Sequence, residues 1–399
     1  MRMSLVVVAA AAALLLTGPS AYGLDGRSLT LTTTEPVTEA VAVSVPFEGT
    51  VPGGRVEVLH AESGAAFPAM VHNGRLTFLV RELPAETTHQ LSVKVHPQNN
   101  PPAVRIAVDE EAGRATVHVR DEHFTTYNFG PDDRMPYLWP VYAEGGITIT
   151  RNFPMGEDEP VASTDHRHHQ SIWTAFGDVN GFDTWHRVPI KANKVEAESG
   201  DAYGWLRAEN VWVDGDGNPI VDETREYRFL NGPPSLRIID QTVTFTASHG
   251  EVTFGDDKEG FFAFRIRPEI QGNQAGVLTN ALGEQTEREV YGTPTEWMDY
   301  SGPVEGVGNR GIALFSHPEN FRLPAWHVRD YGLVGCNFFA MSDVARLDED
   351  GSYTLAEGET LTLRVRHLIH SGDVHEADIP ARYAEYANPP EAEWDETEE

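Results

Sequence analysis

Apolar and polar residues alternate with a period of two through most of this chain, the pattern of strands that bury one face. In the first hundred residues the alternating runs fall at 28–34, 40–45, 55–59, 76–80 and 90–95, each bounded by Gly, Pro, Asn or acidic turn residues. They predict a small amino-terminal β domain over 24–100. His96-Pro97-Gln98-Asn99-Asn100-Pro101-Pro102 then reads as a linker, because consecutive prolines suit neither a helix nor a central strand. Longer runs recur at 103–108, 115–120, 124–129, 202–213, 222–230, 236–246, 261–270, 311–316 and 360–369. Asp214-Gly215-Asp216-Gly217-Asn218 between two of them is read as a hairpin turn, since the closing glutamate of a calcium loop is not in place. The one helix predicted is 379–386. A stretch of roughly 270 strand-rich residues is long enough for one large core. The economical architecture is all-β: a large antiparallel β-sandwich over 104–373, preceded by the small β domain.

The ends and the charge narrow the setting. Arg2, an apolar run over 5–16 and the small residues around Ala21 predict a secretory signal peptide over 1–23, too short to span a bilayer. A secreted or periplasmic protein without a membrane span is expected. The chain carries 30 basic and 61 acidic residues, a formal charge of −31, which argues against nucleic acid or an anionic membrane as partner. Behind the predicted helix, within 374–399, the run 391–399 reads as a disordered acidic tail. Cys336 is the only cysteine, so no intramolecular disulfide forms, and it reads as a small buried hydrophobe.

Candidate chemistry concentrates in a few runs. Asp165-His166-Arg167-His168-His169-Gln170 is followed by Gly177-Asp178-Val179-Asn180-Gly181 and Trp185-His186. Imidazole exchanges its proton near neutrality and is the commonest metal ligand, so three histidines in four positions point to a catalytic or binding loop. Strand alternation would put His166 and His168 on one face, with Arg167 and His169 on the other. Gly255-Asp256-Asp257-Lys258-Glu259-Gly260 packs charges between glycines just before an apolar strand that carries Arg265. Trp297-Met298-Asp299-Tyr300 mixes a carboxylate with flat aromatic faces of the kind sugar rings require. In 324–332, alternation sets His327, Arg329 and Tyr331 on one side, where each polar group needs a partner.

These motifs resemble a family of exported bacterial proteins labelled PmoA-like. The match rests on Tyr137-Leu138-Trp139-Pro140-Val141-Tyr142, Asp165-His166-Arg167-His168-His169-Gln170-Ser171-Ile172-Trp173, Asp257-Lys258-Glu259-Gly260, Trp297-Met298-Asp299-Tyr300-Ser301-Gly302 and Trp326-His327-Val328-Arg329-Asp330-Tyr331-Gly332. Arg167 and Gln170 depart from the family's usual proline and arginine. The resemblance implies a galactose-mutarotase-like supersandwich and a link to carbohydrate.

The expectation is therefore a secreted carbohydrate-active protein that moves protons at a sugar, by epimerisation or by β-elimination of a glycoside or oxidised sugar. Such chemistry needs an acid and a base on opposite sides of the ring. His168 or His169 would be one, His327 or Glu259 the other. Lys258, Arg265 and Arg329 would steady a developing oxyanion. Trp173, Trp185, Trp297 and Tyr300 would stack on the sugar, with Arg167, Gln170, Asp178, Asn180, Asp299 and Tyr331 completing the binding site. A histidine base would give activity an acidic limb near neutral pH. Two alternatives stay open: a non-catalytic carbohydrate-binding module, and a metal-dependent oxygenase with a divalent metal on His166 and His168. No other cofactor is called for.

Overall fold

The computed structural model describes residues 23–51, 54–156 and 164–396. The expected signal peptide falls, but for Gly23, outside the described residues.

The amino-terminal unit is one seven-stranded antiparallel sheet. Its spatial order is Val41–Pro46, Arg75–Val80, Ala66–His72, Gly54–His60, Thr87–Pro97, Ser28–Thr33 and Glu391–Trp394. Alternate residues such as Leu29, Leu31, Val56, Val58, Phe78 and Leu91 build its core. Two expectations need correction. The Thr87–Pro97 strand extends through His96 and Pro97, so the linker begins later than the prolines indicated. The acidic run is not disordered over 391–394. It pairs with the first strand, Leu29 opposite Trp394 and Thr32 opposite Glu391. Trp394 supplies the anchor: its indole donates to the Pro46 carbonyl at 2.7 Å, and the Arg27 guanidinium lies 3.8 Å from its ring centre. Charge repulsion along the tail is outweighed by a ladder of backbone bonds and one well-held aromatic.

Beyond it, two eight-stranded antiparallel sheets face each other over a single core, the large β-sandwich that the alternation predicts. One sheet runs Ala325–Arg329, Leu333–Asn337, Phe262–Arg265, Ile172–Thr174, Tyr137–Val141, Glu122–Asn128, Arg114–Val119 and Val104–Asp109. The other runs Ile190–Glu198, Tyr203–Val213, Pro219–Leu230, Leu236–Thr246, Thr360–Ser371, Gly308–Ser316, Trp297–Val304 and Val277–Asn280. The helix Ile379–Ala387 links the sandwich back to the amino-terminal sheet, where Glu385 accepts from both the backbone and the hydroxyl of Thr38.

Register decides which side chains leave the core. In the first sheet Ile172, Phe264, Val334 and Val328 form one cross-strand row, and Thr174, Phe262, Cys336 and Trp326 another. Both rows point into the sandwich, where the Thr174 hydroxyl accepts from Gln241 of the second sheet at 2.8 Å. The row between them, Trp173, Ala263, Gly335 and His327, must face outward, as must Arg265, Leu333 and Arg329. Of the residues singled out above, the outward face of this sheet carries Trp173, Arg265, His327 and Arg329.

Candidate functional site

Loops close over the outer face and determine what is reachable. Gly335 makes room for one of them: a Cβ there would fall 2.6 Å from the Gly260 carbonyl oxygen, so only glycine lets the 256–260 loop lie on the sheet. That loop is pinned at both ends. The Asp256 carboxylate accepts from the backbone of Ser342, Asp343 and Gly351, while Asn337 donates to the carbonyls of Asp257 and Lys258. Glu259 is thereby held over the sheet, its Oε2 3.9 Å from His327 Nδ1 and its Oε1 3.5 Å from the exposed Lys258 ammonium.

The histidine run is not a strand. The His169 amide donates to the His166 carbonyl at 2.9 Å, closing a turn in which His166 has a left-handed φ of 44°. The face assignment from alternation is therefore corrected. His166 and His169 stack together with ring centres 4.9 Å apart, and Tyr331 stacks on His166 at 5.1 Å. His168 lies edge-on to His169 at 4.5 Å and to His186 at 4.3 Å.

Arginines organise this cluster from below. Arg151 and Arg265 are fully buried, and both donate to Asp165 Oδ1, at 2.9 and 3.1 Å. Arg265 also caps the Tyr331 ring, 4.4 Å from its centre, and places Nη1 3.0 Å from His169 Nδ1. A guanidinium can only donate, so Nδ1 is the acceptor and the His169 proton sits on Nε2. The reverse holds at His327. Its Nδ1 lies 3.0 Å from the Lys258 carbonyl, which can only accept, so Nδ1 carries the proton and Nε2 the lone pair.

Electrostatics then separates the candidate bases. Burial, reinforced by His186 and His166, holds His168 down at about 3. Burial, with Arg329 beside it, holds His327 at about 3 as well. His169 is driven well below its ordinary value by burial, by His168 and by Arg265. All three rings are neutral at physiological pH, yet a group with so little proton affinity is a weak base. Glu259 moves the other way: burial raises its carboxyl towards the working range, against the opposing pull of Lys258 and His186. His186 faces the same space with Nδ1 3.1 Å from Asp183, and the carboxylate fixes its Nε2 as the free position.

Several expected binding residues lie elsewhere or serve the scaffold. Trp173 and Trp185 are 1% and 0% exposed, so they floor the histidine cluster and leave no face open to a sugar. Arg167 is exposed, over the Phe153 ring at 5.1 Å, with Gln170 half-buried nearby in sequence. Asp178 caps its own turn by accepting from the Gly181 amide at 2.8 Å, and Asn180 is bonded both ways to the backbone of 251–253. Trp297 and Asp299 belong to the second sheet. Asp299 is fully buried and bonded to His370 at 2.8 Å, and Trp297 packs with Phe315 and Ile379. Tyr300, on that same strand, points the other way and props the site: its hydroxyl accepts from Gly272 and donates to the Asp330 carbonyl at 3.0 Å, fixing the turn that presents Tyr331. Cys336 is buried and its thiol pushed up, as a packing residue should be.

His166 and His168 stand edge-to-face, 5.7 Å between ring centres, and among the described residues no three His, Cys, Asp or Glu side chains converge as a metal ion requires. The sequence reading included His186 in the candidate run without pairing it with Asp183, and it did not place Tyr291 at the site. Tyr291 is edge-on to His327 at 5.8 Å.

The fold and this face define a class: an all-β sandwich protein with a histidine-rich site on the outside of one sheet. The model of a family of unknown function, DUF6807, matches residues 114–384, and the chain belongs to that family. The PmoA-like assignment made from the motifs is corrected accordingly. It is the DUF6807 model that matches, and the described residues contain no helix long and apolar enough to cross a membrane. No curated protein matches the sequence. Among solved structures, a glycosyl hydrolase family 38 protein from Enterococcus faecalis is similar at 10% identity and a TM-score of 0.42, over 94% of this chain and 49% of that one. An α-mannosidase from the same organism gives 10% and 0.40, over 94% and 46%. A galactose 1-epimerase from Lactobacillus acidophilus gives 7% and 0.30, over 84% and 100%. The chain thus spans about half the length of the first two. Overlaps this loose carry nothing about chemistry.

Proposed function

We propose that the outer face of the first sheet is a sugar-directed acid–base site in an exported protein, with Glu259 as the base. The observation that carries the reading is the placement of Glu259 on this face, Oε2 3.9 Å from His327 Nδ1 and Oε1 3.5 Å from the Lys258 ammonium, where burial raises the carboxyl and keeps the imidazole neutral. Glu259 takes a proton from the sugar. Charge that develops on a sugar oxygen meets a donor already in place, the exposed Lys258 ammonium. The exposed His166 ring offers a surface for the apolar side of a sugar. His168, His169 and His327 are positioning and hydrogen-bonding groups in this scheme and not the base. Export follows from the reading of the first residues and is part of the proposal.

The test is turnover by the purified mature chain on a panel of glycans, 3-keto-glycosides and reducing sugars. The reading expects conversion of at least one class. Tight sugar binding with no conversion would replace catalysis by a carbohydrate-binding role.

A further inference from the structure

A cleft opens near His327, and its chemistry is opposite to that of the whole molecule. It encloses about 660 Å³ and is lined by Glu287, Arg288, Tyr291, Arg329, Asp330 and Arg346. Three of the 30 basic residues of a chain with charge −31 meet there. Tyr291 is the hub: the Arg329 guanidinium lies 4.4 Å from its ring centre and that of Arg346 5.8 Å. Of the two acidic side chains, Glu287 is already engaged. It accepts from the Asp330 amide at 2.6 Å and lies 3.7 Å from Arg329. Arg288 and Arg346 are exposed, and neither forms an ion pair among the described residues. Guanidinium forks held against an aromatic ring are suited to planar oxyanions.

We infer that this cleft is a subsite for the anionic substituent of a sugar, with Arg288, Arg329 and Arg346 holding the carboxylate of a uronic acid. This rests on the sugar reading above and specifies its substrate class. Tyr291 is 5.8 Å from the His327 ring, and His327 Nδ1 is 3.9 Å from Glu259 Oε2, so the cleft and the proposed base share His327 as a neighbour. Once neutralised by the arginines, the uronate carboxylate would take up the electron pair of the neighbouring C–H bond as an enolate while Glu259 accepts the proton.

The experiment is calorimetric titration of the full mature chain with a uronic-acid disaccharide, its carboxyl-reduced neutral counterpart and a sulfated disaccharide. The acidic disaccharide should bind at least about tenfold more tightly than the reduced one, with the preference weakening as salt rises. Arg288→Gln with Arg346→Gln should abolish the preference while leaving the neutral sugar's affinity unchanged. A sulfated sugar that outcompetes the uronate would reassign the cleft to sulfate esters and overturn the carboxylate assignment. Equal affinity for acidic and neutral sugars, or a preference that survives the double substitution, would overturn the subsite while leaving the sugar reading intact. Thermal-shift measurements with inorganic sulfate separate the remaining case. If no sugar binds but sulfate stabilises the parent and not the double variant, the anion site stands and the sugar reading falls. If neither effect is seen, both fall.

Discussion

Replacing His327 by Gln should change how stability depends on pH more than it changes stability itself. The ring is 3% exposed, and burial beside Arg329 holds its proton affinity at about 3, against about 6.5 in an unfolded chain. The unfolded state therefore binds a proton that the folded state refuses wherever the pH lies between those values. Stability from this residue is fully present above 6.5 and is lost as pH falls towards 3. Between pH 7.5 and 5.0 the loss is about 2 kcal/mol, approaching a slope of 1.4 kcal/mol per pH unit at the acid end. Glutamine can keep the donation to the Lys258 carbonyl but cannot titrate. Glu259, 3.9 Å away, is present in both proteins, so its titration cancels to first order in the comparison. Urea unfolding of parent and variant at pH 7.5, 6.5, 5.5 and 5.0 gives the difference directly. The parent should lose about 2 kcal/mol more than His327→Gln across that range. A difference that stays constant with pH would mean that His327 titrates normally, and the neutral imidazoles of the site would have to be abandoned.

Two further substitutions probe the scaffold. Glu223→Gln should cost about 3–5 kcal/mol in chemical denaturation, because Arg225 is fully buried and loses its paired carboxylate. Glu223→Leu with Arg225→Met should recover most of that loss, and a double variant as unstable as the single would argue against the ion pair as the cause. Tyr300→Phe leaves the Gly272 amide without its acceptor and should cost about 1–3 kcal/mol, while loosening the Tyr331 turn and lowering turnover. Unchanged stability and turnover would remove the supporting role given to Tyr300.

The sandwich was legible in the sequence because strands with one buried face declare themselves by alternation, as Tyr203–Val213 and Leu236–Thr246 do. The Ala66–His72 strand was missed because its buried residues do not alternate cleanly. The histidine run misled for a different reason: a turn and a strand can share a sequence, and only the left-handed His166 separates them. Asp299 could not be placed because its partner, His370, is distant in the chain and lies across the intervening strand Gly308–Ser316, a proximity that no local pattern announces. Trp173 and Trp185 have the composition of sugar platforms and the burial of a floor, and composition does not report burial. The arginine cleft left one local signal, the capping box of Thr286 and Glu289 that opens the short helix Glu287–Val290. That signal places Arg288 and Tyr291 near a helix end but gives no hint that Arg329 and Arg346 join them.

The central claim is that Glu259 is the base on a sugar. Turnover and binding of the best substrate from the saccharide panel, compared between the parent and Glu259→Gln, test it most directly. The account predicts a loss of about 10²–10⁴ in rate with sugar affinity little changed, and disappearance of the acidic limb that the raised carboxyl sets in the parent. Turnover that survives the substitution, with its acidic limb in place, would contradict it.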